Sequence, residues 1–168
     1  MTGEFVALGF DPGLATTGYG IVRATDGEWE AIAGGVIETE KGVPRADRLQ
    51  TIYREARALI ETYRPNGVAI EEIFLATNAQ TAMRTAETRG VLLMAAADVA
   101  VRGYTPLQVK KRITGYGKAP KSQIQAMVKR LLRLPEIPKP DDMADGLALA
   151  LCYLLDRQGV GPTDDAYL

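Results

Sequence analysis

The stretch that most constrains the fold is the first apolar run, residues 4–10, which ends in a single carboxylate at Asp11. Such a run predicts a buried strand, and a charge at its exit needs a partner. The turn Pro12-Gly13 follows directly, and Asp commonly starts turns by accepting backbone N–H bonds. Asp11 is therefore either a turn residue or a metal ligand, and the choice depends on whether other acids lie nearby.

The next segments predict an antiparallel meander. Residues 19–24 and 29–39 have strand character, and the Asp26-Gly27 pair between them is a hairpin signal. The loop 13–18 is bounded by glycine and rich in hydroxyls, a pattern that would suit a phosphate but is weak by itself.

A helix and a fourth strand come next. Apolar residues recur every three or four positions between Pro44 and Pro65, which predicts an amphipathic core helix. Residues 67–70 then have the character of a buried strand. A helix followed by a strand implies a crossover and a parallel neighbour, so we expect a mixed α/β sheet.

The rest of the chain is predicted to be mainly helical. A long helix over 78–101, interrupted at Gly90, is followed by an edge strand at 104–106 and by helices over 107–113, 122–134 and 143–157. The apolar face of the long helix includes Met83, Leu93, Met94 and Ala97. We expect residues 1–158 to form one domain and residues 159–168 to form a flexible tail.

The composition excludes several kinds of chemistry. The 168 residues contain no His and a single Cys, Cys152, which excludes a Ser-His-Asp triad, a His metal ligand and a zinc cluster. An enzyme built from this chain must use carboxylates, Lys, Tyr, hydroxyls or a bound cation, and carboxylates with water select hard ions such as Mg²⁺ or Mn²⁺. Because no signal peptide or apolar run of about 18 residues is seen, we expect a cytoplasmic protein.

Basic residues are concentrated in one segment, although the net charge is only −1. Residues 102–135 contain nine basic side chains and no acid. A solvated surface is the ordinary interpretation of such a block, but its length without an acid favours a polyanionic partner. The nine are Arg102, Lys110, Lys111, Arg112, Lys118, Lys121, Lys129, Arg130 and Arg133.

Further acids stand at the edges of apolar segments. Glu71 and Glu72 follow the fourth predicted strand, where they could simply face solvent. Asp142 and Asp145 open the last helix, and residues three apart share a helix face. Asp142, or its neighbour Asp141, could be a plain N-cap. Asp145 instead heads the apolar side of the helix.

These acids have a reason to converge if the chain binds divalent cations. Two ions roughly 4 Å apart need about four shared carboxylates in a chain without His. One ion would activate a water and the other would stabilise the leaving oxygen, giving in-line attack on a phosphodiester. The basic segment would hold the polyanion over the metals.

Four sets of residues follow one another in order over nearly the whole chain. They are Gly9-Phe10-Asp11-Pro12-Gly13 with Thr17-Gly18-Tyr19-Gly20, Ala69-Ile70-Glu71-Glu72-Ile73-Phe74 with Ala76-Thr77-Asn78-Ala79, Gln108-Val109-Lys110 with Gly115-Tyr116-Gly117 and Lys121-Ser122-Gln123, and Asp142-Met143-Ala144-Asp145. Together these sets resemble the RuvC family of Holliday junction resolvases, and their combination is far more specific than any one motif.

The resemblance implies a ribonuclease H-like fold, with a five-stranded mixed sheet flanked by helices. It implies a homodimer that nicks two opposing strands of a four-way DNA junction with Mg²⁺, for which Mn²⁺ substitutes, at two ions per active site. By matched position, the metal-binding catalytic acids would be Asp11, Glu71, Asp142 and Asp145. The matched lysines Lys110 and Lys121 would lie near the scissile phosphate and the backbone, with Lys121 in the catalytic set, and Phe74 would stack on a base near the junction centre.

Three more residues complete the predicted DNA-binding set: Asn78 in a matched segment, and Lys111 and Lys118 in the basic segment. A junction of approximate two-fold symmetry is best cut by a two-fold dimer, and the helix around 83–97 is the predicted interface. The family also implies delivery of the junction by RuvA and RuvB and a preference for a short T-rich site.

The sequence departs from the RuvC pattern in two ways, and it leaves three alternative functions open. Glu72 and Asp141 leave the register within each acidic pair open, and the acidic C-terminal tail differs from the basic tails of some relatives. The main alternative is a ribonuclease H-like nuclease that processes structured RNA. A non-catalytic junction-binding protein is a second, and an actin-like or sugar-kinase ATPase is a third, although the chain is short for two lobes.

Overall fold

A computed structural model describes residues 3–73 and 78–159. Five strands form one sheet in the order β3-β2-β1-β4-β5. The strands are β1 (Phe5–Asp11), β2 (Thr16–Thr25), β3 (Glu28–Glu38), β4 (Gly67–Glu71) and β5 (Ala100–Tyr104), and the helices are α1 (Arg45–Tyr63), α2 (Ala79–Ala95), α3 (Pro106–Thr114), α4 (Lys121–Leu131) and α5 (Asp141–Arg157). The predicted five-stranded mixed sheet is confirmed. No helix in the described ranges is long and apolar enough to cross a membrane.

The first three strands form the predicted meander. β1 pairs antiparallel with β2, and β2 with β3. Asp26 and Gly27 both have positive φ, as a tight hairpin between right-twisted strands requires. The predicted loop 13–18 is wrong in its second half, because residues 16–18 belong to β2. Thr17 is buried there, and its hydroxyl donates to the Gly13 carbonyl at 2.8 Å, so it stabilises the turn after Asp11.

The crossover through α1 is also confirmed. β4 lies parallel to β1 on one side and to β5 on the other. Side chains alternate along β1: Val6, Leu8 and Phe10 pack towards α1 and α2, whereas Ala7 faces the layer formed by α3, α4 and α5. β1 therefore has a bulky face and a small-residue face.

The small-residue face lets α5 lie almost directly on the sheet. A Cβ on Gly20 would stand 2.4 Å from the Leu147 amide nitrogen, and one on Gly146 would stand 2.4 Å from the Tyr19 carbonyl carbon. Both distances are far inside van der Waals contact, so glycine is required on both sides of the interface. α5 is consequently the best-buried helix, with eleven buried residues.

The long-helix prediction needs correction. α2 ends at Ala95, Gly90 does not interrupt it, and Val101 belongs to β5. The buried residues of α2 are Thr88, Leu92 and Ala95, whereas Met83 and Met94 are exposed and Ala97 lies beyond the helix. Alanine-rich helices carry a weak apolar periodicity, so the sequence pattern did not fix which side faces the core.

Two helices in the C-terminal half also begin or end at residues other than those predicted. α4 stops at Leu131 rather than at residue 134, because Arg133 takes a positive φ. α5 starts at Asp141, two residues earlier than expected, behind the N-cap residue Pro140. The interpretation of Asp141 or Asp142 as the N-cap is therefore wrong.

Candidate active site

Two of the predicted acids stand at the ends of adjacent parallel strands. Asp11 is the last residue of β1 and Glu71 the last of β4, and the preceding residues Phe10 and Ile70 are register partners. Strand alternation turns both acids to the side of the sheet that α5 covers. The two carboxyl groups share a hydrogen bond.

The N-terminal turn of α5 adds the other two acids. Asp142 and Asp145 lie three residues apart and face the end of β1. Asp11, Asp142 and Asp145 each offer a carboxylate oxygen within 4.8 Å of the others. Asp11 is paired with Gly18, where a Cβ would stand 2.0 Å from the Asp142 carbonyl oxygen, so the close packing of α5 sets this separation. We call the four acids Asp11, Glu71, Asp142 and Asp145 the acidic cluster.

The pKa values of the acidic cluster show that the protein alone does not balance the negative charge of all four ionised carboxyl groups. Burial, with the charge of Glu71 and a hydrogen bond to it, raises the pKa of Asp11 to about 9. Burial also raises the pKa values of Glu71 and Asp145. The protein by itself thus favours protons shared among these carboxyl groups. A divalent cation would supply the missing positive charge, and an all-oxygen donor set fits a hard ion.

In the part of the chain that the structure describes, one cation reaches the acidic cluster. The Lys121 ammonium, at the start of α4, donates to Asp145 Oδ2 at 3.4 Å and lies 3.7 Å from Asp141 Oδ2. Partial burial acts to lower the pKa of Lys121, but the charge and hydrogen bond of Asp145, together with the charges of Asp141 and Asp142, outweigh it and the net shift is upward. Lys121 is therefore a fixed positive charge beside the acids and not a proton acceptor at neutral pH.

Glu72 and Asp141, which the sequence offered as alternatives to Glu71 and Asp142, have other partners. Glu72 pairs with Arg89 of α2 at 3.5 Å. Asp141 accepts from Gln125 Nε2 at 3.2 Å and pairs with Lys121, outside the three-carboxylate group. The structure therefore places Glu71 and Asp142 in the acidic cluster, with Glu72 directed to α2 and Asp141 beside Lys121 but outside the three-carboxylate group.

A cleft of about 440 Å³ opens over the acidic cluster. Its lining includes Lys110, Lys118 and Lys121, which we call the basic wall, opposite Asp11, Glu71 and Asp145. In the described ranges, Lys110 and Lys118 form no ion pair. Cations without protein partners facing a cleft suit a phosphate backbone.

Hydrogen bonds to Asp156 fix the position of α3, the helix that carries Lys110. Arg112 Nε donates to Asp156 Oδ1 at 2.5 Å, and the Tyr104 hydroxyl donates to Asp156 Oδ2 at 2.7 Å. These bonds join α3, β5 and α5. Burial, with the hydrogen bond to Asp156, raises the pKa of Tyr104, so its hydroxyl remains a donor. The position of α3 thus depends on the same helix, α5, that carries two of the acids.

The remaining predicted DNA contacts are placed differently. Lys111 is exposed on α3 and does not line the cleft. Asn78 is the N-cap of α2, where its side-chain oxygen accepts from the Gln80 and Thr81 amides. Phe74 lies outside the described residues.

Sequence reasoning missed the glycines that seat α5. Gly9, Gly18 and Gly20 all stand where a Cβ would collide with α5, and Gly146 is their counterpart on the helix. The signal was present: Gly18 and Gly20 are two apart, so they share one face of a strand. Only the packing of α5 on that face gives the pattern its meaning.

Acids on the ends of two adjacent parallel strands of a mixed five-stranded sheet, completed by a C-terminal helix, define the ribonuclease H-like class of fold. The solved structure of Thermus thermophilus RuvC has a TM-score of 0.85 and 34% identity, covering 93% of this chain and 98% of that one. Thermus thermophilus RuvC in complex with Holliday junction substrate has a TM-score of 0.87 at the same identity, covering 93% and 97%. The yeast mitochondrial resolvase Ydc2 shares the fold, with a TM-score of 0.66 at 17% identity, covering 92% of this chain and 79% of that one.

Sequence comparison gives the family. The family model "Crossover junction endodeoxyribonuclease RuvC" matches residues 7–153. The RuvC of Caldanaerobacter subterraneus is 48% identical over 161 residues, covering 92% of this chain and 98% of that protein. The RuvC of Syntrophomonas wolfei is 50% identical over 149 residues, covering 88% and 87%. The chain belongs to the RuvC family of crossover junction endodeoxyribonucleases, which are metal-dependent nucleases.

Proposed function

We propose that this protein resolves four-way DNA junctions by nicking two opposing strands, with the acidic cluster as its catalytic centre. The observation that carries the proposal is the placement of three carboxyl groups, those of Asp11, Glu71 and Asp145, and three lysines around one cleft, with Asp142 grouped beside Asp11 and Asp145. The solved relative that contains a Holliday junction supports the choice of substrate. Nicking of opposing strands yields two separated duplexes, as recombination and DNA repair require.

The cofactor in this proposal is Mg²⁺, for which Mn²⁺ can substitute, at two ions per active site. Asp11, Glu71, Asp142 and Asp145 would hold the ions, because they are the carboxylates with shared negative charge that no protein cation neutralises fully. When bound, such ions supply an activated water and stabilise the leaving oxygen. Glu71 and Asp11 extend from strand ends, so the sheet fixes half of the donor set.

Lys121 has a catalytic role in this proposal. Its ammonium stays protonated next to Asp145 and faces the cleft. A phosphodiester over the acidic cluster would lie within reach of this cation, which would stabilise charge that develops on the phosphoryl oxygens. Lys110 and Lys118 would hold the flanking backbone, and Lys111 would act further out on the same helix.

The rest of the assembly follows from the symmetry of the substrate. Two copies of the chain would cut the two opposing strands, and the exposed Met83 and Met94 of α2 are suited to the dimer contact, because both are more than 60% exposed in the single chain. Phe74 and Asn78 would contact the opened junction, and RuvA and RuvB would deliver it. Such an enzyme works in the cytoplasm, where a bacterial chromosome lies, and its preferred site would be short and T-rich.

A synthetic four-way junction tests the proposal. We expect two symmetric nicks in Mg²⁺ or Mn²⁺ buffer, no nicks in EDTA, and little cutting of linear duplex. Structured RNA of similar size serves as the control that separates this function from RNA processing. Tight junction binding with no cutting in either metal would instead favour a non-catalytic binding protein.

A further inference from the structure

Tyr116 is unusual among the aromatic residues in the described ranges. Its side chain is 55% exposed, whereas every other aromatic side chain there is buried or half-buried. Single exposed apolar residues are common, so exposure alone carries no meaning. The surroundings of Tyr116 decide whether the ring has a partner.

The backbone of Tyr116 is held on both sides. Its N–H donates to Thr114 Oγ1 at 3.2 Å, and its carbonyl accepts from Thr114 Oγ1 at 3.1 Å and from the Ala119 amide at 3.2 Å. Gly115 before it takes a positive φ and ends α3. The ring is therefore presented from a fixed loop, although it packs little against the protein. A binding residue that is already positioned loses less entropy when it engages a ligand.

The residues next to Tyr116 are in contact with an apolar side chain and with the stem of a lysine. Leu107 is 51% exposed, and its Cδ1 would be 2.7 Å from a Cβ on Gly117, so Leu107 covers the residue next to Tyr116. The Lys111 stem lies against Gly117 as well. Lys118 follows in the chain and forms no ion pair in the described ranges. A ligand matched to this surface has a flat apolar part and negative charges on both sides, as a nucleotide strand does.

Tyr116 lies a short distance along the chain from residues that line the cleft. Residues 118–121 run from Tyr116 into the cleft, where Lys121 contacts Asp145. Five residues span at most about 17 Å, and nucleotides along one strand are about 3.4 Å apart. A strand placed over the acidic cluster can therefore reach Tyr116 within roughly five nucleotides of the scissile phosphate.

We propose that Tyr116 stacks on an unpaired nucleobase of the cleaved strand, within about five nucleotides of the cut. This inference rests on the proposed function. Aromatic rings hold unpaired bases of any sequence by stacking, while neighbouring lysines hold the phosphates. Tyr116 would thus keep the opened strand in the cleft, and the basic wall would supply the salt-dependent part of the affinity.

Three variants test this assignment in binding assays without added metal: Tyr116→Ala, Tyr116→Phe and Lys118→Ala. Loss of one stacked base should weaken junction binding by Tyr116→Ala roughly 5- to 150-fold, with no change in salt dependence. Tyr116→Phe should bind like the wild type, because the ring is kept. Lys118→Ala should instead reduce the salt slope by about one unit. Junctions with 5-iodouracil near the cut should form a photochemical cross-link to Tyr116.

The inference is overturned if Tyr116→Ala binds like the wild type, or if Tyr116→Phe is as weak as Tyr116→Ala, since the hydroxyl and not the ring would then act. A fall in melting temperature above about 4 °C in Tyr116→Ala would also overturn it, because the ring would belong to the fold. Cutting by the wild type is measured first. A wild type that cuts junctions while Tyr116→Ala is unchanged removes only this inference, whereas a wild type that neither binds nor cuts removes the proposed function.

Discussion

The acidic cluster and the basic wall face each other across one cleft, but the fold holds them very differently. The acids extend from two strand ends and from a helix seated on glycines, and Asp11, Glu71 and Asp145 all have pKa values raised by burial. Lys110 and Lys118 extend from α3 and the following loop without a protein partner in the described ranges. Charges that coordinate a cation must be placed to a fraction of an ångström, whereas charges that hold a flexible polyanion need only be near it.

This difference predicts that the two sides respond differently to mutation. Changes to the acids, or to the packing below them, should remove turnover and leave binding. Changes to the lysines should weaken binding or the chemical step by smaller amounts. The predictions below run from the largest expected effect to the smallest.

Asp145→Asn should abolish cutting while junction binding stays nearly intact, because it removes a metal-binding oxygen and leaves the basic wall. Metal coordination is worth several kcal/mol in the transition state, so we expect a loss of about 1000-fold or more in single-turnover rate. Glu72→Gln is the matched control, since Glu72 pairs with Arg89. Loss of binding in Asp145→Asn would mean that the acid is structural.

Gly20→Ala tests whether packing places the acids. The added Cβ would stand 2.4 Å from the Leu147 amide, so α5 must shift outward and carry Asp142 and Asp145 with it. We expect a stability loss of about 1–3 kcal/mol, and a displacement of 1 Å would reduce the rate about 100-fold. Gly42→Ala is the control, because nothing lies within 4 Å of its Cβ position. Normal rates in Gly20→Ala would show that the acids tolerate movement of α5.

Lys121→Ala tests the lysine of the basic wall that contacts the acidic cluster at Asp145. Its charge lies beside Asp145 and would act on the phosphoryl group, so turnover should fall by about 10- to 100-fold and affinity much less. Single-turnover assays at saturating enzyme separate the two effects. Normal cutting under those conditions would show that Lys121 has no role at the phosphate.

Asp11→Asn should stabilise the metal-free protein. The folded-state pKa of Asp11 is raised from 3.8 to about 9, so its contribution to stability is fully present below about pH 4 and is lost as pH rises towards 9. In EDTA, the wild-type melting temperature should therefore fall over this window more than that of Asp11→Asn. A difference of 1 kcal/mol corresponds to about 2–4 °C for a chain of this size. If the melting temperatures of the wild type and of Asp11→Asn change with pH in parallel, Asp11 is not the acid whose pKa is raised in the folded protein.

Lys118→Ala should have the smallest effect on chemistry. Its side chain lines the cleft without contacting the acidic cluster, so the rate at saturation should be unchanged while affinity falls and the salt slope decreases by about one unit. Titrations of a junction between about 50 and 200 mM salt measure this slope. A loss of rate at saturation would instead place Lys118 with Lys121 in the catalytic step.

Much of the fold could be predicted from local sequence. The meander, the hairpin at Asp26-Gly27, the crossover through α1 and the parallel fourth strand each depend on a short pattern or on the order of elements. The errors fell where local patterns are ambiguous. The Ala-rich α2 has a weak apolar periodicity, so Met83 and Met94 were assigned to its apolar face although they are exposed.

By itself, the sequence determined the chemistry that is possible: no His, one Cys, acids at the ends of apolar runs and a long basic segment. Only the tertiary structure showed which acid of each pair lies in the acidic cluster, because Glu72 pairs with Arg89 of α2 and Asp141 lies outside the three-carboxylate group that contains Asp142. It also decided that Gly18, Gly20 and Gly146 bring α5 onto the strand that carries Asp11. The physical reason is that a carboxylate cluster is defined by distances between elements far apart in the chain, and those distances are set by helix-on-sheet packing that no local pattern encodes.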